Sequence, residues 1–203
     1  MKKLLVVLAL FTSVTMFAQD GRNFKTSGKR YQTTAYGALT SYYSKVNGSG
    51  AVFSGAYGGV MVNHKLMVGL GAYGMIPLSN GYGINSVTKE ANDLRMFYGG
   101  LMVEYTFLEE KRVHFTANTL VGAGGVFNGR GNGTSHDEPW DELDGSGIFV
   151  LQPSVNVEVS VTNWMRVGAG AGYRYVGGAE LDGIDSKKMS APTASVTVKF
   201  GLF

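Results

Sequence analysis

Cysteine is absent from the 203-residue chain. An exported form could therefore hold no disulfide framework, and no lipid could be attached to a cysteine at a cleavage site. Proline occurs only 4 times, against 30 glycines, about twice glycine's usual ~7% share. Scarce proline beside abundant Val, Tyr, Phe and Thr speaks against a disordered chain and suits strands. Beyond the N-terminus no run approaches the ~20 apolar residues that a membrane-crossing helix needs, which excludes a helical integral membrane protein. A large excess of one charge is missing too. Without Lys2 and Lys3 the eighteen basic residues fall to sixteen, against fifteen acidic ones, so no nucleic-acid footprint is present.

The N-terminus has a recognisable pattern. Lys2 and Lys3 precede the apolar run Leu4–Phe11, and the small Ala18 stands before Gln19. This is the layout of a secretory signal peptide over residues 1–18, cut after Ala18. A retained anchor helix fits less well, because Thr12 and Ser13 interrupt a run already too short to span a bilayer. Residues 19–32, with Arg22, Lys25, Lys29 and Arg30, read as a polar periplasmic lead-in, and 33–203 as one domain.

Within that domain, apolar residues alternate with polar residues and glycine. From Val155 to Val161 four valines alternate with Asn156, Glu158 and Ser160; after Thr162-Asn163-Trp164 the alternation resumes from Met165 to Tyr175. Eight such runs lie near 33–45, 51–62, 66–77, 94–108, 113–127, 148–161, 165–176 and 194–203. Short links at 63–65, 109–112 and 162–164 alternate with the links at 46–50, 78–93, 128–147 and 177–193, most of them long. Short turns at one end and longer loops at the other are the layout of a transmembrane barrel. The expected fold is all-β: an eight-stranded antiparallel up-and-down transmembrane β-barrel.

Alternation alone does not say which face is outside. Aromatic placement helps. On the apolar face Tyr105, Phe107 and Phe115 stand beside short turns, with Trp164 in one of them, while Phe97, Phe127, Phe149, Tyr173 and Tyr175 stand at the opposite ends. Phe97 and Phe107 are ten residues apart; at ~3.3 Å per residue and ~40° tilt they are separated by roughly 25 Å along the barrel axis. Two girdles one membrane thickness apart predict that the apolar face meets lipid. Runs 51–62 and 66–77 carry apolar residues and glycine on both faces, so their orientation stays open.

The opposite face must then fill a narrow lumen with side chains. If the 162–164 turn pairs Val161 with Met165, Glu158 lies opposite Gly168 and diagonal to Arg166. A luminal ion pair between Glu158 and Arg166 is expected, with Glu104 and Arg174 in the same network, because unpaired buried charge is costly.

Reaction chemistry is sparse. Gly69–Gly74, GLGAYG, spells a dinucleotide-loop pattern but lies inside a strand-like run with no helix to receive a phosphate. His64, His114 and His136 occupy separate places, which speaks against a shared metal site. His136, beside Ser135 and Asp137, is not a positioned catalytic arrangement. No cofactor or metal is expected. The link 128–147 holds Asp137, Glu138, Asp141, Glu142 and Asp144 around Trp140, which reads as a solvated acidic loop or, more sharply, as a tip that contacts a divalent cation or a protein partner.

The signal peptide, the hairpin series from Phe97 to Tyr175 and the C-terminal Phe203 make the chain resemble the small eight-stranded outer-membrane barrels of Gram-negative bacteria, of the OmpA-domain, OmpX and opacity-protein type. The resemblance covers the chain from about residue 33 onward. It departs from the family at its end, where Gly201, Lys199 and Thr197 share phase with Phe203, implying a shifted register or a bulge. It implies residence in the outer membrane among lipid and lipopolysaccharide, insertion by the barrel-assembly machinery, and loops open to an extracellular protein partner. Two functions are compatible: a structural or surface-interaction protein with a filled lumen, or a narrow channel for small solutes or ions. A lipid-modifying enzyme and an exported soluble lipocalin-like barrel are the remaining alternatives.

Overall fold

The computed structural model describes residues 23–26, 29–78, 93–107, 112–129, 145–181 and 184–201. The leader at 1–18 and the acidic stretch Asp137–Asp144 with Trp140 lie outside the described residues.

Strand β1 (Asn23–Thr26) precedes eight long strands: β2 (Lys29–Val46), β3 (Ser49–Val62), β4 (Leu66–Pro77), β5 (Asp93–Phe107), β6 (Val113–Gly129), β7 (Gly145–Ser160), β8 (Met165–Gly177) and β11 (Ala191–Gly201). Each pairs antiparallel with its sequence neighbour, and β11 pairs with both β8 and β2, closing the barrel. Between β8 and β11 the chain makes a small hairpin, β9 (Glu180–Leu181) with β10 (Ile184–Asp185), and a single helical turn, α1 (Ser186–Met189).

Two tight turns show why the chain reverses where it does. Asn47 and Gly48 have φ of 49° and 82°, the left-handed pair that a two-residue hairpin requires. Asn63 and His64 adopt φ of 52° and 55°, and the Lys65 N–H donates to the Val62 carbonyl at 3.1 Å. Asparagine tolerates this region readily. His64 is anchored there by a 3.0 Å hydrogen bond between its Nε2 and Gln32 Oε1.

Strand β2 begins within the expected lead-in, at Lys29 rather than 33, because its first residues pair with β1 below the barrel rim. The last strand contains no bulge: β11 runs in unbroken register from Ala191 to Phe200 against β8 and from Thr193 to Gly201 against β2. Thr197 and Lys199 consequently point inward.

The valine face points out. Val155, Val157, Val159 and Val161 are exposed, while Asn156 and Glu158 between them are buried. Large apolar residues are exposed on all eight long strands, from Leu39 on β2 and Val60 on β3 to Val196 and Phe200 on β11. The girdle residues Phe97, Tyr105, Phe107, Phe115, Phe149, Trp164, Tyr173 and Tyr175 are all exposed, and Phe127 is half-buried against Phe97, with ring centroids 5.5 Å apart. Phe200 joins the short-turn girdle, its ring 6.1 Å from that of Trp164.

The two strands with apolar residues on both faces are now oriented. Ala51, Phe53, Tyr57 and Met61 of β3, and Met67 and Tyr73 of β4, point inward, while Val60, Val68, Leu70 and Ile76 point outward. Together with Tyr42 of β2, Tyr98 of β5, Leu120 of β6, Val150 of β7 and Val176 of β8, the inward residues form a packed apolar and aromatic core inside the barrel, not the uniformly polar lumen that the alternation of β7 and β8 suggests.

Candidate functional site

Three tiers of side chains fill the barrel. At the loop end, Tyr42 stacks on Phe53 at 4.9 Å between ring centroids, and Tyr73 stacks on Tyr98 at 5.4 Å. The Tyr42 and Tyr98 hydroxyls are hydrogen-bonded to each other, and Tyr98 also donates to Gln152 Oε1. Above them Arg174 is fully buried, with its guanidinium carbon 4.2 Å from the Phe53 ring centroid. Its Nη2 donates to the Met189 carbonyl at 2.9 Å and to the Lys45 carbonyl at 3.0 Å. Met189, also fully buried, inserts α1 into the barrel mouth.

The middle tier is a polar cavity of about 20 Å³. Thr40, Asn118, Gln152, Ser154, Asn156 and Thr197 contribute to its wall. A space of this size and polarity suits about one water molecule.

The lowest tier holds the charge. Lys199 Nζ lies 2.5 Å from Glu158 Oε1 and also contacts Glu104 Oε1. Glu104 accepts further hydrogen bonds from Tyr36 Oη at 2.7 Å, Tyr57 Oη at 3.2 Å and Asn118 Nδ2 at 3.4 Å. Glu158 accepts from Thr116 Oγ1 at 2.9 Å. Arg166, cross-strand from both Ser160 and Lys199, lies within electrostatic reach of the two carboxylates. Two cations thus face two carboxylates in a low-dielectric interior where an uncompensated charge would be costly. His114, opposite Glu158, completes this tier with a 3.0 Å hydrogen bond between its Nε2 and Ser160 Oγ.

Several expected residues are here in different roles. Glu158 lies opposite Gly168 and diagonal to Arg166, whose direct cross-strand partner is Ser160. A Cβ at Gly168 would lie 2.8 Å from Glu158 Cγ, so this glycine makes room for the carboxylate arm. Arg174 does not share the network of Glu104. It stands at the opposite end of the lumen and meets carbonyl oxygens and the Tyr42 hydroxyl, because β8 carries it some eight residues above Arg166. Lys199, the residue that joins the two carboxylates, is not identified by the sequence reading. Its one sequence signal is its phase with Thr197 on the polar side of the last strand.

Among the described residues, no group of three or more His, Cys, Asp or Glu side chains gathers as a metal site would. The arrangement can neutralise, order and seal an interior.

No family profile matches the chain, and no curated protein matches it. Solved structures do. Neisserial surface protein A superposes with a TM-score of 0.60 at 13% identity, over 85% of this chain and 96% of that one. The chain has the fold of a small outer-membrane β-barrel. The N-terminal β-barrel domain of Pseudomonas aeruginosa OprF is similar as well, with a TM-score of 0.50 at 11% identity, over 81% of this chain and 96% of that domain. At these identities the likeness to small outer-membrane barrels concerns architecture alone.

Proposed function

We propose that this chain is an integral protein of the bacterial outer membrane with a sealed interior, acting as a structural or surface-interaction element through its loop end. The observation that carries the reading is the way both faces of one sheet are occupied. The outer face exposes Leu70 at 67% and Val155 at 63% in a band crossing all eight strands, far more apolar surface than a soluble monomer shows. The inner face is packed from the Arg174 tier to the Lys199 tier. Hydrocarbon outside and side chains inside satisfy both faces, whereas bulk water outside would satisfy neither the band nor its girdles.

In this setting, lipid and lipopolysaccharide surround the band, and the barrel-assembly machinery would insert it. The acidic stretch from Asp137 to Asp144, with Trp140, is the segment best suited to meet a cationic partner or a divalent ion. The filled lumen favours this reading over a solute channel.

The test combines location and conductance. The protein should fractionate with outer membranes and migrate faster on gels unheated than boiled, and the refolded protein should give no steady openings in a planar bilayer. Extraction into buffer without detergent would overturn the membrane assignment. Stable conductance altered by Arg166→Ala would overturn the sealed interior.

A further inference from the structure

Among the described residues no carboxylate touches Arg174, although its side chain is fully buried at the loop end. Lys199 and Arg166, in the lowest tier, have Glu104 and Glu158. Arginine keeps its proton in proteins, so the charge of Arg174 stays unmatched. Its guanidinium instead uses Nε at 3.3 Å and Nη2 at 2.9 Å to hold a single oxygen, the Met189 carbonyl. Nη2 also donates to the Lys45 carbonyl at 3.0 Å, and Nη1 to Tyr42 Oη at 3.5 Å. The Nε–Nη2 edge is a fork that fits the two oxygens of a carboxylate. A neutral carbonyl occupies it.

That carbonyl belongs to a plug one helical turn thick. In α1, Lys187 and Lys188 are exposed, while the Met189 side chain is fully buried and shares a core with Tyr42, Phe53, Tyr98 and Val176. One residue thus presents an apolar body and an acceptor together. The plug is further held by Asn47 N–H donating to the Lys188 carbonyl at 2.7 Å, and by Val176 N–H donating to Ser190 Oγ at 2.9 Å. The wall beside it is loosened by two prolines, which have no N–H to give. The β11–β2 register begins only at Thr193 with Ser44, after Pro192, which leaves the Lys45 carbonyl to Arg174. On the other flank the β7–β8 register lapses at Gln152 and Pro153, between the pairs Ser154–Gly172 and Leu151–Tyr175.

Beneath the guanidinium lies a floor of rings. Arg174 Cζ is 4.2 Å from the Phe53 centroid, Phe53 stacks on Tyr42, and Tyr73 stacks on Tyr98. A cation set against aromatic faces, next to an apolar space, suits a ligand that joins negative charge to an apolar body. We infer that Arg174 and this floor form a recessed binding site for a small carboxylate with an apolar or aromatic body, and that Met189 is the internal occupant which such a ligand displaces. A carboxylate gains over the Met189 carbonyl because both of its oxygens engage the fork and its charge answers that of Arg174. Its body must replace the apolar burial that Met189 gives up. The inference goes beyond the surface-interaction reading and leaves the lumen sealed, because the ring tier and its Gln152 contact stay below the site.

The full chain, refolded in detergent micelles with a spin label at Lys187→Cys on the exposed side of α1, provides the test. The probe is 3-phenylpropionate, and 3-phenylpropanamide is its neutral control. The carboxylate should mobilise the label saturably, with an apparent affinity about tenfold above that of the amide. Met189→Ala removes the competing side chain and should tighten the carboxylate by about tenfold more. Arg174→Gln should abolish the preference for acid over amide. Because Arg174→Gln also loosens α1, saturation-transfer NMR of the probe reads binding in every variant independently of the label. Equal binding of acid and amide, a preference that persists in Arg174→Gln, or no saturable binding to either the parent or Met189→Ala overturns the site. A preference for the acid that leaves the label at 187 unmoved overturns Met189 as its occupant.

Discussion

The Lys199 ammonium lies 2.5 Å from the Glu158 carboxylate, deep inside the barrel, and the same nitrogen reaches Glu104. Strand closure produces this contact: β11 must pair with β8 for Lys199 to oppose Arg166, which places its side chain among carboxylates from β5 and β7. Lys199→Met would leave Glu104 and Glu158 facing each other with Arg166 as the remaining cation. It should cost about 3–5 kcal/mol, the penalty for breaking a buried pair. Urea unfolding in detergent micelles measures this, and adding Glu158→Gln should return part of the loss. A Lys199→Met protein as stable as the parent would show that the ammonium is not the keystone of this tier.

Arg174 acts at the other end. It joins β8 to the backbone carbonyls of Met189 and Lys45, so it pins α1 and the edge of β2 together. The Asn47 N–H to Lys188 carbonyl bond at 2.7 Å belongs to the same junction. Arg174→Met should cost about 1–3 kcal/mol from the carbonyls left unsatisfied. The specific signature is faster amide exchange at Asn47 and Ser190, with exchange in β6 and β7 unchanged. A uniform change across the barrel would contradict a local latch.

Gly168 faces the Glu158 arm. Gly168→Val would set a Cβ 2.8 Å from Glu158 Cγ and crowd the carboxylate away from Lys199. Destabilisation of about 1–3 kcal/mol is expected, as for overpacking elsewhere. Gly177 offers a control, since nothing lies within 4 Å of a Cβ there. The two glycines should therefore respond differently to the same unfolding measurement.

Sidedness predicts a contrast between Val157 and Leu120. Val157 is 45% exposed on the outer face and Leu120 is 1% exposed in the lumen. Val157→Arg should cost about 1–2 kcal/mol in a bilayer, because Val157 opposes the girdle residue Phe115 and stands nearer the short-turn rim than the midplane. The same change should cost less in a micelle, whose thin, deformable hydrocarbon lets the guanidinium reach water. Leu120→Ala should cost about 2–5 kcal/mol in bilayer and micelle alike, because its cavity lies in protein. Unfolding of the two variants in vesicles and in micelles checks the pattern.

Much of this was legible in the residues, for identifiable reasons. Strands β5 to β8 face a partly polar interior and an apolar exterior, so period-2 alternation marks both their extent and their outward side. The orientation of β3 and β4 was not legible, because Phe53, Tyr57 and Tyr73 pack inward opposite outward Val60, Val68 and Leu70, and an apolar residue on each face erases the alternation. The Lys199–Glu104 contact joins positions 95 residues apart. It depends on barrel closure and on how far β5 is staggered against β11, neither of which a local pattern encodes. Arg166 and Arg174 share a strand face, which made them look like members of one network. The tilt and length of β8 separate them, one to each end of the lumen. The phase of Thr197, Lys199 and Gly201, which suggested a bulge, instead records that the last strand turns its polar residues inward.

Because the chain has no native cysteine, one introduced thiol carries one spin label. The most direct measurement is power-saturation electron paramagnetic resonance on Val157→Cys in refolded vesicles, with Asn156→Cys as its inward neighbour. The expected result is that a label at 157 collides with oxygen, which dissolves in lipid, and not with a water-soluble nickel chelate, while a label at 156 is immobilised and shielded from both. Access of the nickel chelate to position 157, with burial of that label against protein, would contradict a valine-rich face turned to lipid.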